Sequence, residues 1–153
     1  MLTVGPLVAR KRAMQLNRRH ILYVEDHEDT CELITLVLQQ RNFKVTTERT
    51  VEKGAQLARE QNFDLYLLDS WLADGSGLDL CKKIREFDRI TPIIFYSAAA
   101  YEADRDMALN SGAQAYLIKP SHTGELCEII CSLIERNGNG HDKTRGNFLT
   151  VGE

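Results

Sequence analysis

Acidic side chains follow two apolar stretches of the sequence. Glu25 and Asp26 come directly after the stretch 20–24, and Asp69 ends the stretch 64–69. Carboxylates are the ligands that Mg²⁺ prefers, and an aspartate can also act as the nucleophile toward a phosphoryl group. Carboxylates brought within a few ångström of one another repel by about 1 to 4 kcal/mol per pair, so a cation is expected beside them.

Two further candidates, Ser97 and Lys119, stand at the ends of the apolar stretches 92–97 and 114–118. A serine hydroxyl offers a hydrogen-bond donor, and the compact charge of a lysine suits a phosphoryl oxygen. A metal, an aspartate, a hydroxyl and a lysine are the groups needed to transfer a phosphoryl group to Asp69, because that chemistry depends on positioning and charge neutralisation.

Alternating strand and helix patterns position these residues. Strands are predicted at 20–24, 43–47, 64–69, 92–97 and 114–118, and helices from a cap at Asp29 or Thr30 and then at 51–61, 78–87, 102–110 and 124–136. Such alternation predicts an α/β fold, a five-stranded parallel sheet with helices on both faces. The flavodoxin-like doubly wound order 2-1-3-4-5 would place Glu25 and Asp26 beside Asp69.

The chain has 153 residues, which is enough for one domain, and an ordinary globular balance of 27% charged and 43% hydrophobic residues. It has no apolar run of membrane-spanning length and no secretory signal, so we expect a cytoplasmic protein without membrane insertion. Five of the 19 basic residues lie in residues 1–19, which leaves 14 basic against 22 acidic residues and a net charge of −8. An acidic body argues against direct contact with nucleic acid.

Four cysteines, Cys31, Cys81, Cys127 and Cys131, form no Cys-x-x-Cys pair. Cys127 and Cys131 are spaced as neighbours on one helix face. We expect all four to be reduced and to pack in the core as small apolar residues.

Five motifs in order resemble the response-regulator receiver domain of two-component signalling. They are the segment 21–26, the segment 64–69, Gly77 eight residues further on, the segment 96–98 and the segment 116–120. The resemblance covers about residues 21–136 and implies a stand-alone receiver domain at 19–136, between a basic and flexible N-terminal arm at 1–18 and a flexible tail at 137–153.

The resemblance implies a role for each candidate residue. Asp69 is the expected phosphoacceptor, and Lys119 is expected to pair with the phosphoryl group. Ser97 and Tyr116 are the expected switch residues. Mg²⁺ or Mn²⁺ is expected on Glu25, Asp26, Asp69 and the main-chain carbonyl of Trp71. The family also implies a cis bond between Lys119 and Pro120.

The resemblance further implies a signalling protein rather than an enzyme with an external substrate. It would catalyse its own phosphorylation and a slow autodephosphorylation. The expected phosphodonor is a sensor histidine kinase or a histidine phosphotransfer protein, and the expected output is binding to a downstream protein or a phosphorelay.

Two other functions remain open at the level of the sequence. A metal-dependent phosphatase with an aspartyl-phosphate intermediate would need a second acid two residues after the nucleophile, where this chain has Trp71. A flavin-binding protein of similar topology would need a phosphate-binding loop after the first strand, but the acidic segment 25–29 would repel phosphate.

Overall fold

Parallel strands and helices alternate along the computed structural model, which describes residues 5–7, 18–120 and 123–138. The main strands are β1 His20–Val24, β2 Lys44–Glu48, β3 Leu65–Leu68, β4 Ile93–Ser97 and β5 Ala115–Ile118. The helices around them are α1 Glu28–Gln40, α2 Val51–Glu60, α3 Gly77–Phe87, α4 Glu102–Asn110 and α5 Thr123–Gly138. Over these described ranges, no helix is both long and apolar enough to cross a bilayer.

The sheet has the order β2-β1-β3-β4-β5, and every neighbouring pair of strands is parallel. Both the α/β class and the predicted strand order are therefore confirmed. Val24 lies opposite Leu68, and Leu68 lies opposite Phe95. Because parallel strands end at the same edge, residues that follow β1, β3, β4 and β5 share one rim.

The strands β1, β3, β4 and β5 each contribute to two hydrophobic layers, because successive side chains of a strand point to opposite faces of the sheet. Ile21 and Tyr23 of β1 pack in the layer that contains α1 and α5. Leu22 and Val24 pack in the opposite layer with α2, α3 and α4. Burial on both faces explains why β1 and β3 are continuous apolar runs in the sequence.

The structure corrects the predicted start of α1. Its N-cap is His27, which makes no side-chain capping bond, and the helix begins at Glu28 rather than after Asp29 or Thr30. Acidic residues in the first turn favour this earlier start, since they interact with the positive end of the helix dipole. At the other end of the fold, α5 reaches Gly138, two residues past its predicted end.

The cysteines are all free, as expected, but their burial differs from the prediction. Cys81 and Cys127 are buried, Cys31 is half-buried, and Cys131 is exposed. The expectation of a core position for Cys131 is wrong, because it lies on the solvent side of α5. Most of the predicted arm and tail, residues 1–4, 8–17 and 139–153, lies outside the described residues.

A short ribbon that the sequence did not predict follows β3. Trp71–Leu72 pairs with Gly75–Ser76 in antiparallel register. Ser76 then begins α3 through a capping box with Asp79, in which the Asp79 N–H donates to Ser76 Oγ at 3.1 Å and the Ser76 N–H donates to Asp79 Oδ2 at 3.2 Å. The ribbon and the capping box together hold in place the segment that follows Asp69.

Candidate functional site

Three carboxylates converge at the carboxyl edge of the sheet, as predicted. One oxygen each of Glu25, Asp26 and Asp69 lies within 4.8 Å of the others. The backbone holds two of these residues in the sheet, since the Glu25 N–H donates to Glu48 O and the Asp69 N–H donates to Val24 O, both at 3.0 Å. Glu25 and Asp69 therefore stand one residue beyond the ends of β1 and β3 on a rigid frame, and Asp26 follows Glu25.

Lys119 supplies the cation that this cluster requires. Its Nζ lies 2.9 Å from Glu25 Oε2 and 3.6 Å from Asp69 Oδ1. The Lys119 N–H donates to Ser97 O at 2.8 Å, which fixes the residue at the end of β5. The ammonium also lies 5.5 Å from the centre of the Tyr96 ring, within the range of a cation–π contact. The following peptide bond, Lys119–Pro120, is cis.

Glu25 is fully buried, and this burial determines its protonation. Loss of water raises the pKa of the Glu25 carboxyl above its ordinary value. The hydrogen bond from Lys119 acts in the opposite direction, and the nearby Asp69 raises the pKa further. Glu25 Oε1 is buried without a hydrogen-bond partner, so Lys119 satisfies only one of the two oxygens.

Asp69 remains accessible at one edge, with 7% of its surface exposed. Its Oδ1 accepts a hydrogen bond from the Ser70 N–H at 2.8 Å. Gly77 packs directly against the main chain of Asp69, because a Cβ at this position would collide with the Asp69 carbonyl oxygen. Position 77 therefore requires glycine, because two backbone segments approach each other closely there.

Ser97 and Tyr116 meet at Ala99, in the loop after β4. The buried Ser97 hydroxyl accepts a hydrogen bond from the Ala99 N–H at 3.1 Å. The Tyr116 hydroxyl donates to the Ala99 carbonyl at 2.8 Å, and its ring stacks on Phe95 with centroids 5.9 Å apart. Both predicted switch residues thus hold the same loop residue, and the ring of Tyr116 points inward.

Trp71 lies two residues after Asp69 with 67% of its surface exposed. Together with Phe95 and Met107, it lines a small cavity of about 130 Å³. The predicted metal contact of the Trp71 carbonyl stays a prediction. A tryptophan, not an acid, thus stands at the sequence position of the second phosphatase carboxylate.

The donor set fits a hard divalent cation. Glu25, Asp26 and Asp69 offer only oxygen atoms, and three such carboxylates at this spacing match the ligands that Mg²⁺ takes, with waters completing the octahedron. One ammonium faces three carboxylates, so the cluster keeps an excess of negative charge that a metal ion would neutralise.

Three residues of the site escaped the sequence reasoning. Tyr23 lies in β1 two residues before Glu25, Tyr96 faces Lys119, and the Ser70 hydroxyl lies 3.4 Å from the Tyr116 hydroxyl. Burial, followed by the nearby acidic groups, of which Glu25 is the first, raises the pKa of Tyr23 far above its ordinary value. The signal in the sequence was the period of two along a strand, which places residues 23 and 25 on one face.

Comparison with known proteins agrees with this geometry. Residues 21–131 match the family model described as "Response regulator receiver domain". The chain is 38% identical over 128 residues to the transcriptional regulatory protein GltR of Pseudomonas aeruginosa. The aligned region covers 80% of this chain and 52% of GltR. The chain is also 33% identical over 135 residues to the transcriptional regulatory protein YkoG of Bacillus subtilis, covering 88% of this chain and 59% of the relative. The chain thus spans a little over half the length of these relatives.

Solved structures show the same fold. The receiver domain of a Pseudomonas aeruginosa sensor histidine kinase, with magnesium coordinated in its active-site cleft, superposes with a TM-score of 0.73 at 30% identity, covering 77% of this chain and 98% of that one. A receiver domain protein of Methanospirillum hungatei superposes with a TM-score of 0.77 at 24% identity, covering 80% and 98% of the two chains.

The structure is therefore a doubly wound α/β domain with an acid cluster and a lysine at the carboxyl edge of its sheet. The chain belongs to the response-regulator receiver domain family.

Proposed function

We propose that this receiver domain is a phosphorylation-activated signalling switch with Asp69 as its phosphoacceptor. The observation that carries the proposal is the position of Lys119 Nζ, 2.9 Å from Glu25 and 3.6 Å from Asp69. From this position the Lys119 ammonium can form an ion pair with a phosphoryl group on Asp69, because that group carries more negative charge than either carboxylate.

The transfer needs only a carboxylate nucleophile and neutralised charge. Asp69 Oδ1 faces Lys119 and the Ser70 N–H, which leaves Oδ2 to attack the phosphorus of a phosphohistidine. The P–O bond forms as the N–P bond breaks, and the electron pair of that bond returns to the imidazole nitrogen. Glu25, Asp26, Asp69 and the Trp71 carbonyl would hold Mg²⁺, which would supply charge neutralisation at the phosphoryl oxygens. A slow attack by water on the acyl phosphate would reset the switch.

Signal propagation is proposed to run through Ser97 and Tyr116. A phosphoryl oxygen would attract the Ser97 hydroxyl as a hydrogen-bond donor, and a rotation of the side chain toward it would weaken the bond that the hydroxyl oxygen now accepts from the Ala99 N–H at 3.1 Å. The hydroxyl would then act as a donor to the phosphoryl group. Since Tyr116 holds the carbonyl of the same Ala99, any movement of this loop changes the packing at the start of α4.

The proposed phosphodonor is a sensor histidine kinase or a histidine phosphotransfer protein in the cytoplasm. The proposed output is binding to a downstream protein or passage of the phosphoryl group along a phosphorelay. The excess of acidic residues in the described domain supports a protein target rather than nucleic acid.

A single experiment separates this switch from a phosphatase. The purified chain is incubated with Mg²⁺ and acetyl phosphate, and its intact mass is recorded beside its turnover of p-nitrophenyl phosphate. We expect one acid-labile phosphoryl group per chain, its loss in Asp69→Asn, and no steady turnover. An unmodified mass would refute the switch, and sustained monoester hydrolysis that depends on Asp69 would favour the phosphatase.

A further inference from the structure

Tyr23 is a buried polar residue for which the proposed chemistry has no role. Its side chain is fully buried, and its hydroxyl has no hydrogen-bond partner among residues 5–7, 18–120 and 123–138. Buried hydroxyl groups are almost always paired in folded proteins, because leaving one unpaired is costly. An unpaired phenol in the centre of the sheet therefore requires an explanation.

The second unpaired atom of this region is Glu25 Oε1, which is also buried. Tyr23 and Glu25 are two residues apart at the end of β1, so their side chains leave the same face of the sheet. Leu67, opposite Tyr23, and Asp69, two residues further on, continue this face on β3. The Tyr23 hydroxyl is a hydrogen-bond donor, and Glu25 Oε1 is a carboxylate acceptor.

The surroundings of the phenol support a pairing of these two atoms. The ionisable groups nearest to it are Glu25, Cys31, Asp69 and Tyr96. Lys119 is engaged with Glu25 Oε2, so the ammonium satisfies the opposite side of the carboxylate. Among these neighbours, Glu25 is the one with a buried carboxylate oxygen that has no hydrogen-bond partner in the described residues. The second oxygen of Asp69 is the one assigned above to the phosphoryl transfer.

We propose that Tyr23 is a positioning residue for the metal-binding acid pair, with its O–H linked to Glu25 Oε1 through one enclosed water, since the two atoms make no direct hydrogen bond. Together with Lys119 on Oε2, this link holds the Glu25 carboxylate in a single orientation beside Asp26 and Asp69. Hydrogen bonds to a ligating carboxylate commonly tune metal affinity. This inference rests on the divalent cation of the proposed function.

The direct test is Tyr23→Phe, which removes the hydroxyl and keeps the ring. Binding of Mn²⁺ is followed by the loss of its free-ion electron paramagnetic resonance signal. Binding of Mg²⁺ is followed by the fluorescence of Trp71, the sole tryptophan. We expect about a tenfold weaker affinity for either ion. Tyr66→Phe is the matched control, since its hydroxyl donates to Asp88 Oδ2 at 3.0 Å in the opposite layer; its metal affinity should not change.

The double variant Tyr23→Phe/Glu25→Gln separates positioning from a general structural effect. If Tyr23 acts through Glu25, the tyrosine substitution has no further effect on metal affinity once Glu25 is replaced. Equal metal affinity of Tyr23→Phe and the unsubstituted protein would overturn the inference and leave the switch intact. Failure of the unsubstituted protein to bind either ion would instead refute the metal site of the proposed function.

A measurement on the unsubstituted protein covers the case in which Tyr23→Phe does not fold. A hydroxyl proton in an enclosed hydrogen-bond network with a buried carboxylate exchanges slowly with bulk water and is observable by proton NMR. We expect such a resonance, assigned to Tyr23 through its ring protons, and a shift of it on addition of Mg²⁺. A Tyr23 hydroxyl signal that exchanges fast and ignores Mg²⁺ would overturn the inference.

Discussion

Lys119 Nζ lies 2.9 Å from Oε2 of Glu25, a carboxylate with no exposure to solvent. The same ammonium lies 3.6 Å from Asp69. A buried acid thus keeps the lysine at the mouth of the site, where it also faces the proposed phosphoacceptor. Stability and chemistry are coupled through this one side chain.

Lys119→Met should reduce the free energy of unfolding by about 2 kcal/mol at pH 8, because it leaves the Glu25 carboxylate buried without its partner. Burial raises the pKa of Glu25 in the folded state. The folded variant therefore binds a proton more readily than the unfolded chain, and its stability rises as the pH falls through that raised pKa. Urea denaturation of the variant and the unsubstituted protein should show that the substitution lowers the free energy of unfolding less at pH 5 than at pH 8.

The exposed Lys53 on α2 provides the control for this prediction. Lys53→Met should change stability by less than about 0.5 kcal/mol at either pH. An equal loss for Lys119→Met at both pH values would mean that Glu25 is not the group that Lys119 stabilises.

Asp26→Asn should stabilise the metal-free protein by about 1 kcal/mol, because it removes one charge from three crowded carboxylates. The same change should abolish the increase in melting temperature that Mg²⁺ gives the unsubstituted protein. Asp106→Asn, at an exposed position of α4, should leave both quantities unchanged. A destabilised Asp26→Asn would show that repulsion is not the dominant interaction of Asp26.

Gly77→Ala should destabilise the fold by about 1 to 3 kcal/mol, since the new methyl group meets the main-chain carbonyl of Asp69, which cannot rotate away. Thermal denaturation measures the effect. Gly124→Ala, where nothing lies within 4 Å of the added Cβ, should be neutral or slightly stabilising in α5. Equal stabilities of the two variants would contradict the close contact at Gly77.

Tyr116→Phe should loosen the loop after β4, because it removes the 2.8 Å hydrogen bond to the Ala99 carbonyl. A bond worth about 1 kcal/mol corresponds to roughly fivefold faster amide hydrogen exchange in this loop. Tyr101→Phe, at a position with 77% exposure, is the control and should exchange as the unsubstituted protein does. Unchanged exchange in Tyr116→Phe would show that the phenol does not hold the loop.

The sequence predicted the sheet well because its central strands β1, β3 and β4 are buried on both faces. Such strands are continuous apolar runs, and the acids that follow Val24 and Leu68 mark their ends. Their order placed Glu25, Asp26 and Asp69 together before any distance was known. The predicted bounds of β3 were one residue too long at each end, which is the usual uncertainty where a ladder ends.

Interactions between distant segments were beyond the sequence patterns. Asp74 accepts hydrogen bonds from the N–H groups of Val51 and Glu52 at 2.7 and 3.1 Å, so it caps a helix that begins 23 residues earlier. No local pattern encodes this contact. The pairing of Lys119 with Glu25 is of the same kind, since the two residues are 94 positions apart.

The central claim is that Asp69 carries the phosphoryl group, and reductive trapping tests it most directly. After incubation with Mg²⁺ and acetyl phosphate, borohydride reduces an aspartyl phosphate to homoserine, which peptide mass spectrometry locates. We expect homoserine at position 69 alone, in a yield that falls when Lys119 is replaced by methionine. Homoserine at Asp26 instead, or at no aspartate, would contradict the account.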